Sequence, residues 1–189
     1  FILPKDEQIP GEEYGVGDHV KVYVVDVLSG DRGPRIMLSR THPGFVKRMF
    51  ELEVPEIFDG TVEIKAISRE AGARTKIAVW SKDENVDAIG ACIGAKRARI
   101  DNIIAGLGGE KIDIVKYSED PAEFISASLS PSSVSSVEIL SDNPKSCKVC
   151  VPDEQLSLAI GNKGQNARLA ARLTGYNIDI HPQSGYFGE

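Results

Sequence analysis

The 189-residue chain is poor in cysteine and aromatics, and it carries no excess of positive charge. Its three cysteines, Cys92, Cys147 and Cys150, are too few for a disulfide framework and point to a reducing, cytoplasmic setting. No apolar run approaches the length of a bilayer-spanning helix, and no secretory leader pattern opens the chain, so no membrane association is expected. The histidines, His19, His42 and His181, are scattered without metal-ligand spacing, so no metal centre is expected. Neither a nucleophile elbow nor a phosphate-binding Walker loop is present, and no catalytic residue emerges. The chain opens on Phe1 rather than Met, so it is expected to be an internal piece of a longer protein.

A net charge of −6 argues against wholesale coating of a polyanion. The distribution says more. Residues 1–59 hold 7 Lys/Arg against 11 Asp/Glu, and residues 119–189 hold 5 against 9. Only residues 60–118 are positive, with 10 against 8. Basic groups gather at two places: Lys96, Arg97 and Arg99, then Lys163, Arg168 and Arg172. Such local charge suits contact with a few phosphates.

Both places carry one pattern. Ile93-Gly94-Ala95-Lys96 recurs as Ile160-Gly161-Asn162-Lys163, 67 residues on, and Lys111-Ile112-Asp113-Ile114 is echoed by Asn177-Ile178-Asp179-Ile180. The period implies a duplicated supersecondary unit. In the first copy, Phe45, Val46, Met49, Phe50 and Leu52 give a helical stripe entered at Thr41-His42-Pro43-Gly44 and ended before Pro55. Strands follow over Thr61 to Ile67 and Thr75 to Trp80, turning at Gly72, and a helix from about Asn85 leads into Gly94. Ile100, Ile103, Ile104 and Leu107 define the next helix, stopped by Gly106 and Gly108-Gly109 before a strand over Lys111 to Lys116.

The second copy repeats the order. Asp120 and Glu123 form a capping box, and the serine-rich stretch Ser126 to Ser136 closes that helix. Val137 to Leu140 and Cys147 to Val151 are strands turning at Asn143-Pro144, and Gln155 to Ile160 and Gln165 to Thr174 are helices around Gly161. Ahead of both copies, alternation from Val20 to Val25, a turn at 30–34 and Arg35 to Ser39 predict a β-hairpin. A lone hairpin is marginal in water, so residues 1–41 are expected to end a small barrel. The tail 183–189 has no periodicity.

A glycine between two helices lets a phosphate approach the main chain, the following helix presents its positive end, and a loop lysine adds a point charge. One such loop alone is more often a plain turn. Two, in the same order of elements and each with lysine third, point to nucleic-acid backbone.

On these residues the chain resembles the KH RNA-binding family in its bacterial, type II form, ordered α-β-β-α-α-β. Gly161-Asn162-Lys163-Gly164 matches the signature in full, whereas Gly94-Ala95-Lys96-Arg97 puts arginine at the last glycine. The match extends through Val20 to Val27, Leu38 to Gly44 and Glu51 to Ile57 to bacterial transcription elongation, termination and antitermination factors. In those factors an OB-type RNA-binding barrel precedes two KH domains.

The resemblance implies an α+β chain: 1–41, the end of an OB-type barrel; 42–118, a first KH domain; 119–182, a second; 183–189, a tail. It implies binding of nascent single-stranded RNA, a polymerase contact made mainly through an N-terminal domain outside this sequence, and contacts to other transcription factors. The protein would be a cytoplasmic monomer, not an enzyme, without cofactor. RNA contacts would come from Gly94, Ala95, Lys96, Arg97, Arg99, Gly161, Asn162, Lys163, Gly164, Gln165, Arg168 and Arg172. Bases would lie in an apolar groove beside Arg74 to Trp80 and Cys147 to Val151.

Rival readings are weaker. A KH-bearing exoribonuclease places one KH domain ahead of its barrel, and ribosome-assembly KH proteins lack the tandem pair behind a barrel. Cys147-x-x-Cys150 lies in a β-branched run where residues three apart face opposite ways, so these read as ordinary strand cysteines. Asp83-Glu84 and Asp153-Glu154 precede helices and read as caps. Tyr23 and Trp80 fall on predicted strands, with Trp80 expected in the core.

Overall fold

The computed structural model describes residues 1–185, so the last four residues of the expected tail lie outside it, while Gln183 and Ser184 form a turn. β1 (Tyr23–Leu28) and β2 (Arg35–Ser39) pair antiparallel as a hairpin with a bulge at Val25. The strand starts three residues later than the alternation suggests, because Tyr23 pairs with Ser39, the last residue of β2. Among the described residues these two strands form a sheet of their own and no closed barrel. Val24, Val25, Val27 and Met37 are exposed on it.

The first unit begins with α1 (Pro43–Glu53). His42 caps it, its Nδ1 accepting from the Gly44 amide at 2.9 Å. Gly44 is required here, since a Cβ would lie 2.6 Å from the Tyr23 ring, which stacks on His42 at 5.1 Å. Phe45, Val46, Met49 and Phe50 are buried, but Leu52 is 74% exposed. Leu52 falls about a quarter-turn from the centre of that stripe. A short helix that the sequence pattern did not announce, α2 (Pro55–Phe58), leads to β3 (Val62–Glu70) and β4 (Arg74–Ser81). Then come α3 (Ala88–Ile93), α4 (Ala98–Gly106) and β5 (Lys111–Lys116). α3 starts later than Asn85 because the Asp83 carboxylate captures the Asn85 amide in a turn.

The second unit repeats this as α5 (Pro121–Ser128), β6 (Ser136–Asp142), β7 (Lys145–Val151), α6 (Leu156–Ile160), α7 (Gln165–Thr174) and β8 (Asn177–Pro182). Asp120 caps α5 by accepting from Ala122, but the return limb of the expected capping box is absent. Glu123 instead accepts from Ser118, whose hydroxyl also takes the Asp120 amide. Each sheet runs first strand, middle strand, last strand, antiparallel and then parallel.

Alternation along β4 explains how the units join. Ile77 and Val79 face the core under α1, α3 and α4, while Ala78 faces Phe124 and Leu173 of the second unit. β4 therefore reads as a continuous buried run, because both its faces are covered. α5 and α7 lie between the two sheets, packing on the first unit's β3, β4 and β5 and on the second unit's own core. Polar bonds pin the seam: the Ser68 hydroxyl donates to the Leu169 carbonyl at 2.8 Å. Lys76, fully buried, donates to Asp113 at 2.9 Å and to the Ser130 carbonyl at 2.6 Å, and burial lowers its pKa. The orientation of the two units, which the sequence leaves open, is set by this layering.

The N-terminal segment is tied on through arginines. Arg40, 5% exposed, pairs with Glu12 at 2.8 Å and sits 5.0 Å from the Phe45 ring centre. Arg69 donates to the carbonyls of Arg40 and His42.

Candidate nucleic-acid interface

The two glycine loops have the same backbone. Gly94 and Gly161 end α3 and α6 at φ/ψ of 75°/170° and 80°/172°. Lys96 and Lys163 both sit at φ 53°, ψ 31°, in the left-handed region that a β-carbon disfavours. The next residue is left-handed too, Gly164 at φ 73° and Arg97 at φ 64°. Arg97 thus adopts the glycine conformation despite its Cβ. The chain turn is conserved between copies; the bare surface at its last residue is not.

Gly161 leaves no alternative, because a Cβ there would lie 2.7 Å from the Asn166 amide nitrogen. Ala95, Lys96, Arg97, Asn162 and Lys163 are exposed, and α4 and α7 begin directly behind them, each entered through a tight turn in which Ala98 and Gln165 donate to the Ala95 and Asn162 carbonyls. Leu158 and Ile160 remain exposed on α6, an apolar surface ahead of the second loop.

The flanking arginines divide. Arg97 is exposed, 3.5 Å from Asp101 on its own helix. Arg99 is committed inward: it donates to Glu56 at 2.8 Å and to the Ala91 carbonyl at 2.7 Å, fastening α4 to α2 and α3. Asn166, its counterpart, does the same job by donating to the Leu129 and Ala159 carbonyls. Gln165, Arg168 and Arg172 all converge on Glu70 of the first unit, at 2.9, 2.5 and 3.8 Å. Sequence reasoning missed Glu70, which sits in the charged run Ser68-Arg69-Glu70 and reads locally as a solvated strand end.

That convergence has a pH signature. The hydrogen bond from Arg168 holds the Glu70 carboxyl below its ordinary range, with Gln165 and the arginine charges adding to it. A carboxyl depressed in the folded state stabilises above its unfolded pKa and loses that contribution as pH falls through the folded value. Urea unfolding from pH 6 to pH 3 should show wild type losing more stability than Glu70→Gln; equal losses would assign the pair no net role.

Two expectations need correction. β4 and β7 are the middle strands of their sheets and offer no free edge. The edges beside the loop helices are β5, against which α3 packs, and β8, against which α6 packs, so Lys111–Lys116 and Asn177–Pro182 border any groove. Trp80 is not core; it is 39% exposed, with the Lys65 ammonium 4.7 Å from its ring centre. Among the cysteines, Cys92 and Cys147 are buried, their thiols pushed up to about 12 and about 11 by burial.

Comparison with known families fits this geometry. Residues 40–117 match the NusA-like first KH domain, and residues 121–186 match the NusA-like second KH domain. The chain belongs to the NusA family. It is 55% identical over 183 residues to the transcription termination/antitermination protein NusA of Halalkalibacterium halodurans, covering 97% of this chain and 48% of that protein. The Bacillus subtilis protein of that name is 54% identical, covering 97% and 49%. The Thermus thermophilus one is 51% identical over 176 residues, covering 93% and 45%. The chain therefore spans about half the length of the curated relatives it matches. A likeness of fold alone links it to the crystal structure of APE1850, with TM-score 0.52 and 23% identity, covering 71% of this chain and 96% of that one. Among the described residues no helix is long and apolar enough to cross a membrane.

Proposed function

We propose that the NusA-like KH pair binds nascent single-stranded RNA through its two glycine loops and so takes part in pausing, termination and antitermination. The observation that carries this reading is the shared loop backbone, with a left-handed lysine opening a helix in both copies. Gly94, Ala95, Lys96 and Arg97 form one cradle; Gly161, Asn162, Lys163 and Gly164 form the other. Arg99 backs the first, while Gln165, Arg168 and Arg172 flank the second. The relatives' name, transcription termination/antitermination protein, supports the cellular role.

In this reading the protein is a cytoplasmic monomer without catalytic activity, and RNA polymerase and other transcription factors are its protein partners. Its organisation is 1–41, the end of an OB-type barrel, then KH domains at 42–118 and 119–182 and a tail. The hairpin's exposed valines support the barrel, since further strands would cover them.

The test is a fluorescence-anisotropy titration of a labelled A-rich single-stranded RNA of about a dozen nucleotides across a salt series, at roughly four nucleotides per KH unit. Saturable binding should weaken with salt at a log–log slope of about −3 to −6, or about 0.7 per phosphate engaged. A blunt duplex of the same sequence should bind more weakly. Salt-independent binding, or preference for the duplex, would sink the reading.

A further inference from the structure

Resting on the RNA-binding reading, we propose that Glu70, a residue of the first KH unit, is a positioning residue for the second unit's phosphate cradle. Four contacts carry it. Glu70 Oε1 accepts from Arg168 Nε at 2.5 Å and lies 3.8 Å from Arg172, while Oε2 accepts from the Gln165 side-chain amide at 2.9 Å. The same Arg168 guanidinium donates from its other side to the carbonyl of Lys163 at 3.0 Å. The planar fork of arginine makes this a rigid bridge, because one group cannot turn without breaking the other bond. Glu70 thus holds Arg168, and Arg168 holds the peptide of the left-handed lysine at the loop's centre.

The first cradle lacks this support. Asp101 occupies the position that Arg168 holds in the second copy, and a carboxylate cannot donate to a loop carbonyl. Arg97 pairs loosely with Asp101 instead, within its own helix turn. The two loops share a backbone but are held differently: one by its own unit, the other by its neighbour. The second cradle is therefore a composite of both units, complete only when α7 is seated on β3. Order at that seam, which also carries the Ser68 bond to Leu169, is order at the RNA site.

A cycle of variants in the full chain tests this with the A-rich dodecamer as probe. Glu70→Gln keeps size and shape but removes the carboxylate that anchors Arg168. Its affinity should fall about fivefold, the scale of a lost charge-assisted hydrogen bond that acts indirectly. Arg168→Gln should lose a similar factor or more, and the double variant should lose no more than Arg168→Gln alone, because both act through one bridge. In the RNA-free protein, Glu70→Gln should shift the amide resonances of Asn162, Lys163 and Gly164. Ser68→Ala removes the neighbouring bond to the Leu169 carbonyl but leaves the Glu70 carboxylate on Arg168, so its affinity should fall clearly less than that of Glu70→Gln.

Equal or tighter binding by Glu70→Gln overturns the proposal, because Glu70 would then only mask Arg168. Additive losses in the double variant, or a loss in Ser68→Ala as large as in Glu70→Gln, overturn it as well. All these leave the RNA-binding reading intact so long as wild type binds. Absence of binding by wild type itself removes both.

Discussion

Lys163→Asp combined with Gly164→Asp is expected to weaken single-stranded RNA binding by about a hundredfold, the factor for roughly two charge-assisted phosphate contacts turned repulsive. The fold should survive. A Cβ on Gly164 meets nothing nearer than the Arg168 guanidinium at 4.0 Å, which a new carboxylate can pair with. Aspartate also tolerates the left-handed region better than most residues, so φ 73° at this position strains it little. The matching first-loop variant, Lys96→Asp with Arg97→Asp, should lose less. Arg97 already places a Cβ and long side chain where Gly164 leaves bare backbone, so a phosphate stands off further there. Anisotropy titration of both variants, with thermal melts as folding controls, decides the matter. Unchanged affinity in the second-loop variant would reduce Gly161 to Gly164 to a turn between helices.

What was legible in the sequence was local. β2, β5 and α7 fall where apolar spacing and flanking glycines put them, because Arg35 to Ser39, Lys111 to Lys116 and Gln165 to Thr174 carry their own boundary signals. The loops were legible for the same reason: Gly94 and Gly161 announce a positive φ in the sequence itself. Illegible were the features built from distant residues. Glu70 meets Gln165 and Arg168 across 95 and 98 residues, so nothing near Glu70 in the chain reveals its partners. Arg99 looked like a loop cation, but Glu56 and the Ala91 carbonyl, placed by a helix packing, claim its guanidinium. Trp80 reads as core because it follows a run of buried residues, yet near the strand's end it is 39% exposed and faces the Lys65 ammonium.

The largest stability effect should come from a residue that touches neither loop. Glu110 and Arg69 have side chains with no solvent exposure, paired at 3.0 Å. The carboxylate is fully used: Arg69 donates to both oxygens, the Gly72 amide to one at 2.7 Å and the Thr75 hydroxyl to the other at 2.6 Å. It thereby fastens the β3–β4 turn to the segment entering β5. Glu110→Ala removes the anion, leaving the buried Arg69 charge without its counter-ion and the Thr75 hydroxyl and Gly72 amide without their carboxylate acceptor. Breaking a buried pair this way costs about 3–5 kcal/mol, far more than the pair itself contributes relative to an apolar substitute. Glu110→Gln keeps an acceptor for Arg69 and should lose less. Arg69 also holds the Arg40 and His42 carbonyls, so the N-terminal segment should loosen along with the first unit. Urea unfolding followed by Trp80 fluorescence reads the first unit directly, since Trp80 is the chain's one tryptophan and lies on β4. Glu63→Ala, which breaks part-exposed pairs with Lys65 on the same strand and with Lys82 just past β4, should leave the midpoint unchanged. If Glu110→Ala unfolds at the wild-type midpoint, the buried pair does not hold the turn, and the β3–β4 junction must rest on apolar packing alone.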